Sequence, residues 1–108
     1  MAWDPTTSPL AWLQSWYRSH CNEEWEWRHG IKIKTNDSPG WVVVIDLAET
    51  ELSVARFEDI HIKVGEDDWM NCSVADGRFY GFGDPSKLEV ILSEFQRWAD
   101  SLSSARNP

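Results

Sequence analysis

The sequence predicts an α+β domain: an N-terminal helix, an antiparallel meander of about five strands, and a C-terminal helix, with both helices on one sheet face. Three observations carry this reading. Apolar residues recur at helical spacing near each end of the chain, and the segments between them alternate with a period of two. No connection has the form of a long crossover suited to parallel pairing. The 108 residues fit one domain, 1–108, with an ordered core expected over about 8–102.

Ser8 followed by Pro9 is a helix start, a capping hydroxyl before a proline at the first helical position. In "LAWLQSWYRSHC", Leu10, Leu13, Trp16, Tyr17 and His20 form one stripe that Trp12 widens, which predicts a helix over about 9–21. "NEEWEWRHG", residues 22–30, reads as an extended lead-in, with Trp25 and Trp27 pointing one way and Glu24, Glu26 and Arg28 the other. That period continues across Gly30 into "IKIKT", a half-buried strand. "NDSPG" at 36–40 is a turn in which Pro39 fixes the first central position and Gly40 tolerates positive φ at the next. "WVVVIDL" then sets Trp41, Val43, Ile45 and Leu47 on one face and Val42, Val44 and Asp46 on the other. Apolar residues on both faces predict a central strand, covered at least partly on each side.

"FEDIHIKVG" alternates Ile60, Ile62 and Val64 with His61 and Lys63, and "EDD" at 66–68 is an acidic loop. "WMNCSV" and "RFYGFG" are two further strands joined by a tight Asp76-Gly77 turn. Asp84-Pro85 repeats the cap-then-proline signal for a second helix. Its stripe is Leu88, Ile91, Leu92, Phe95, Trp98, Ala99 and Leu102, and "SARNP" frays off its end.

The chain carries 18 acidic and 10 basic residues, a formal net charge of −8. This argues against nucleic acid or an anionic membrane as direct partner, and suits a basic protein or simple solubility. "MAWDPTTSPL" has neither a basic n-region nor a continuous apolar stretch, so a cytoplasmic location is expected and Cys21 and Cys72 are expected to be free thiols. His20, Cys21, His29, His61 and Cys72 fall in no metal-ligand spacing, so neither metal nor cofactor is expected. Cys21 with His20 or His29 can be drawn as a dyad, but adjacency in sequence says nothing of geometry. In "GFGDP" Asp84 takes the capping role and its carboxylate would repel a phosphate. Trp12, Trp16, Trp41 and Trp98 fall on apolar faces, whereas the placements of Trp3, Trp25 and Trp27 stay open.

One ordered set of residues spans most of the chain: Trp12, Trp16, Tyr17 and Cys21; Trp25-Glu26; Gly30-Ile31; Pro39-Gly40-Trp41; and Ile45-Asp46-Leu47. This set, continuing through "EDDWMNCSVADGRFYGFGDPSKLEVILSEFQRW", resembles the immunity protein 53 family of bacterial polymorphic toxin systems over roughly residues 10–99. The resemblance implies a non-catalytic protein that binds and neutralises a cognate toxin inside the producing cell. Such toxins are often nucleases with basic surfaces, which a net charge of −8 complements. It further implies structural roles for Trp12, Trp16, Cys21, Trp25, Gly30, Pro39, Gly40, Trp41, Asp46 and Trp69. Trp27 and the segment "ETELSVARFED" depart from the family pattern. The expected toxin contacts are Glu23, Glu24, Glu26 and Trp27 together with Glu66, Asp67 and Asp68. The alternatives are a small-molecule or carbohydrate module stacking ligand on Trp25, Trp27 and Trp69, and an enzyme built on Cys21 and His29 or on carboxylates.

Overall fold

A computed structural model describes residues 8–106; Trp3 lies outside them. The elements are α1 (Pro9–His20), α2 (Trp25–Arg28), β1 (Ile31–Asn36), β2 (Gly40–Asp46), β3 (Ile60–Gly65), β4 (Asp68–Ala75), β5 (Arg78–Gly83) and α3 (Leu88–Arg106). All five strands pair antiparallel, and α1 and α3 share one face of the sheet, so the α+β class follows as expected.

The meander is interrupted once. The sheet order is β1-β2-β5-β4-β3, so β3 lies at the far edge rather than beside β2. Residues 47–59 make that passage and carry apolar side chains into the core: Leu47 and Leu52 are fully buried. Phe57 stands edge-on to Phe79 and Trp98, at 5.5 and 5.1 Å between ring centres. The order places the apolar strands β2 and β5 inside the sheet together with β4, and leaves the lysine-bearing β1 and β3 as edges, where charge discourages pairing with other chains.

Phe95 of α3 is the centre of the core. Its ring meets Phe79 and Trp16 at 5.1 Å each, Trp12 at 5.8 Å and Trp98 at 6.0 Å, all edge-to-face. Below it α3 presses on β5 through glycines. A Cβ on Gly81 would run into the Ile91 side chain, and one on Gly83 would lie 2.6 Å from Lys87 Cβ. Gly40 follows the same logic: the positive φ expected there is absent, and a Cβ would instead stand 2.6 Å from the Gly83 carbonyl oxygen. The Asp76-Gly77 turn has φ of 53° and 75°, the doubly left-handed pair of a two-residue hairpin.

Asp84 is not the cap of α3, which begins at Leu88 and runs on to Arg106. Its carboxylate is buried and closes a junction of three elements. It accepts from the Trp69 backbone N–H at 2.9 Å, from the Ser86 N–H and hydroxyl at 2.7 and 2.6 Å, and from Lys87 Nζ at 2.8 Å. Lys87 Nζ also reaches Asp68 Oδ1 at 2.7 Å. The Lys87 ammonium, then the Ser86 hydroxyl, hold Asp84 far below the usual carboxylate range against the opposing effect of burial. Asp68 and then Asp84 raise Lys87 in turn.

β2 lies inside the sheet, between β1 and β5, as expected, but neither helix covers its second face. Val42 and Val44 face away from both helices, and among the described residues no element packs over them.

Gly81→Ala should lower stability by about 1–3 kcal/mol in urea unfolding, the range for overpacking a filled core. Gly30→Ala meets open space and should stay within about 0.5 kcal/mol. Because the folded carboxyl of Asp84 has the lower pKa, its contribution is present above the ordinary carboxylate range near 4 and lost as pH falls below it. The urea midpoint of the wild type should therefore fall more steeply between about pH 5 and about pH 2 than that of Asp84→Asn, which starts less stable.

Candidate partner-binding surfaces

The segment after α1 is not a strand. Residues 25–28 form a single helical turn, which sends the two tryptophans to opposite environments. Trp25 is 2% exposed and Trp27 75%. The local chemistry explains the turn. Asn22 Oδ1 accepts from the N–H groups of Glu24 and Trp25 at 3.0 and 2.8 Å. Glu26 reaches back to the N–H groups of Asn22 and Glu23 at 2.9 and 2.8 Å. These reciprocal bonds satisfy the free donors at a helix start, as in a capping box. Hydrogen bonds from its own backbone N–H, then from Asn22 and Glu23, hold the Glu26 carboxyl below its usual range. Glu23 takes a left-handed φ of 72° to allow the bend.

Trp25 packs edge-on against Trp16 at 6.2 Å and Tyr17 at 5.9 Å, and its indole N–H donates to the Ala48 carbonyl at 2.8 Å. His20 and His29 flank it at 5.8 Å each. His20 Nε2 lies 2.9 Å from Glu51, whose other oxygen accepts the Trp16 indole N–H at 2.9 Å. Arg28 and His29 both approach Glu49 at 3.4 Å. The corner is thus fastened to the 48–51 turn from several directions. It presents Trp27 outward beside the exposed Glu23 and Glu24.

The second acidic group does not join it. Glu66 and Asp67 form the turn between β3 and β4, and Asp68 opens β4 and binds Lys87. Strand register places this turn at the Gly83 end of the sheet, whereas α2 leads into the Ile31 and Asp46 end. The two groups lie at opposite ends of strands six or more residues long, roughly 20 Å apart at the usual rise.

The residues of the family pattern make the following contacts. Trp12 and Trp16 pack on Phe95, and Cys21 caps α1 while its thiol donates to the Tyr17 carbonyl at 3.3 Å. The Trp41 indole donates to the Pro85 carbonyl at 2.9 Å, and the Ser38-Pro39 peptide is cis. Asp46 accepts from the Gly30 N–H at 2.8 Å and from Arg78 Nε at 2.8 Å, tying β1 and β5 to the end of β2. Trp69 gives its backbone N–H to Asp84, but its half-buried ring stands on the uncovered sheet face. Both cysteines are free, and burial, then Glu94, pushes the Cys72 thiol up to about 12. Among the described residues no three His, Cys, Asp or Glu side chains gather to hold a metal, and no helix is long and apolar enough to cross a membrane.

The sequence reading missed the uncovered face itself. Lys32, Lys34, Lys63, Tyr80 and Phe82 alternate out of their strands in the sequence, but only register shows that they share one side.

The sequence model for immunity protein 53 matches residues 10–100, almost the whole described fold. The chain belongs to the immunity protein 53 family. No curated protein and no solved structure matches it. Proteins of the immunity protein 53 family are immunity proteins of toxin systems.

Asn22→Ala should cost about 1 kcal/mol by thermal or urea unfolding, the usual loss for a capping side chain. Trp27→Ala, at an exposed position, should change stability by less than about 0.5 kcal/mol.

Proposed function

We propose that the chain binds the toxin domain of a cognate polymorphic toxin and neutralises it in the cytoplasm of the producing cell, with no catalysis of its own. Membership of the immunity protein 53 family over residues 10–100 carries this reading. The toxin is a basic, nuclease-like domain, and the net charge of −8 speeds encounter with it and disfavours acidic competitors. Trp27 supports a contact at the α2 corner. It is a large ring 75% exposed on a turn fixed by capping bonds, so little ordering is lost when a partner covers it. Glu23 and Glu24 beside it supply the acidic complement, and Glu26 holds the turn in shape. A complex of ordinary size would bury about 1,600 Å², far more than this corner offers, so other surface must take part.

A stacking site for sugars or nucleotides has less support. Trp25 is enclosed, and Trp27 and Trp69 stand at opposite ends of the sheet. A Cys21-His29 dyad is likewise poorly supported, since the thiol donates to Tyr17 and the imidazole faces Glu49 and Asp46.

Co-expression with the toxin domain encoded next to this chain tests the reading. Growth should be restored and a stable complex recovered, with an association rate that falls as salt rises. Unchanged toxicity with no complex would refute it.

A further inference from the structure

The uncovered face of the sheet differs in charge from the rest of the molecule. Its middle is apolar and aromatic, with Val42 and Val44 of β2 and Tyr80 and Phe82 of β5 beside the polar Asn71 and Ser73 of β4, and Trp69 stands at one end, all half-buried. The Tyr80 and Phe82 rings lie nearly parallel, 4° between planes and 6.4 Å between centres. Around that centre stand Lys32 and Lys34 on one edge strand, Lys63 on the other, and Arg78 at one end. Within the strands Asp46 is the one carboxylate on this side, and Arg78 Nε meets it at 2.8 Å. Glu66 stands at the lip of a hollow beside Lys63 and Trp69. A protein with 18 acidic and 10 basic residues has thus gathered four of the ten cations around one aromatic patch.

An apolar, aromatic centre inside a charged rim is the anatomy of a protein interface. We propose that this face is the main toxin-docking surface, and that it takes a patch of the toxin with an apolar centre and an acidic rim. The inference rests on the toxin-binding reading above and adds the larger of two contacts. The α2 corner leads through His29 and Gly30 directly into β1, the strand that carries Lys32 and Lys34. The toxin therefore meets carboxylates at the corner and cations on the sheet, and both signs must match. Such a two-signed contact rejects a toxin with one sign misplaced. A second copy of this chain, laid sheet to sheet, would set lysines against lysines. A nucleic acid would suit the lysines and rings but would approach through the field of a chain at −8.

The test measures affinity of the intact chain for the neighbouring toxin domain, with thermal melts to verify folding of each variant. Lys32→Glu, Lys34→Glu and Lys63→Glu combined change only exposed positions and should weaken binding about a hundredfold. Phe82→Ala should weaken it about tenfold or more. Affinity within about twofold of wild type for the triple variant, while Trp27→Ala still weakens binding, would overturn the proposal and leave the toxin reading standing. Failure of the wild type to bind would bring down both. Two further arms assign the face elsewhere and would equally overturn it. One is binding of a labelled single-stranded RNA oligomer that the triple variant abolishes. The other is a dimer of the chain alone that the triple variant dissolves.

Discussion

The close approach of α3 to β5 governs the rest of this structure. Ile91 sits where a Cβ on Gly81 would be, and Lys87 crowds the same place on Gly83, so the helix lies against the sheet at its centre and Phe95 comes within reach of Phe79, Trp12, Trp16 and Trp98. The alternation of β5 follows from it. Beyond Phe79 the inner side of the strand admits only glycine, so the remaining bulk of the strand, Tyr80 and Phe82, must project to the other side. One packing constraint therefore both closes the core and furnishes the opposite face with aromatic rings.

Most of the carboxylates that look most reactive are already engaged. Asp84 bonds to Trp69, Ser86 and Lys87, and Asp46 bonds to Gly30 and Arg78. Glu26 is turned back onto its own capping turn, and Glu51 lies between Trp16 and His20. Buried or half-buried carboxylates with such partners stabilise the fold over the range where both signs are charged, and are poorly placed to meet a second molecule. Among the exposed charges are Glu23 and Glu24 at the α2 corner, the latter 3.9 Å from Arg28, and Lys32, Lys34 and Lys63 across the sheet.

The fold was legible wherever side chains obey one period. α1, α3 and the strands could be placed within a few residues because their stripes are long and their turns carry Pro, Gly or Asp-Gly. The strand order could not be read, because nothing local in residues 47–59 says which edge they reach; Leu52 and Phe57 decide it by packing. At residues 22–28 the period of two was a false signal. Asn22 and Glu26, four residues apart, were the true one, since a capping pair fixes a helical turn more firmly than two tryptophans fix a strand. Trp27 stands out in the sequence only through the resemblance, and the helical turn that replaces the expected strand leaves its ring 75% exposed. The acidic loop at 66–68 was grouped with it on charge alone, and register separates them. The sheet face escaped notice because a net charge averages over the surface, whereas a partner meets one face at a time.

The account stands or falls on which rings a bound toxin covers. Hydroxyl-radical footprinting of the chain, free and in complex with its neighbouring toxin domain, reads this directly. The account predicts that Tyr80, Phe82, Trp69 and Trp27 lose reactivity together in the complex, while Trp12, packed against α3 on the opposite face, stays unchanged. Protection of the α1 and α3 side, with Tyr80 and Phe82 as reactive as in the free chain, would contradict it.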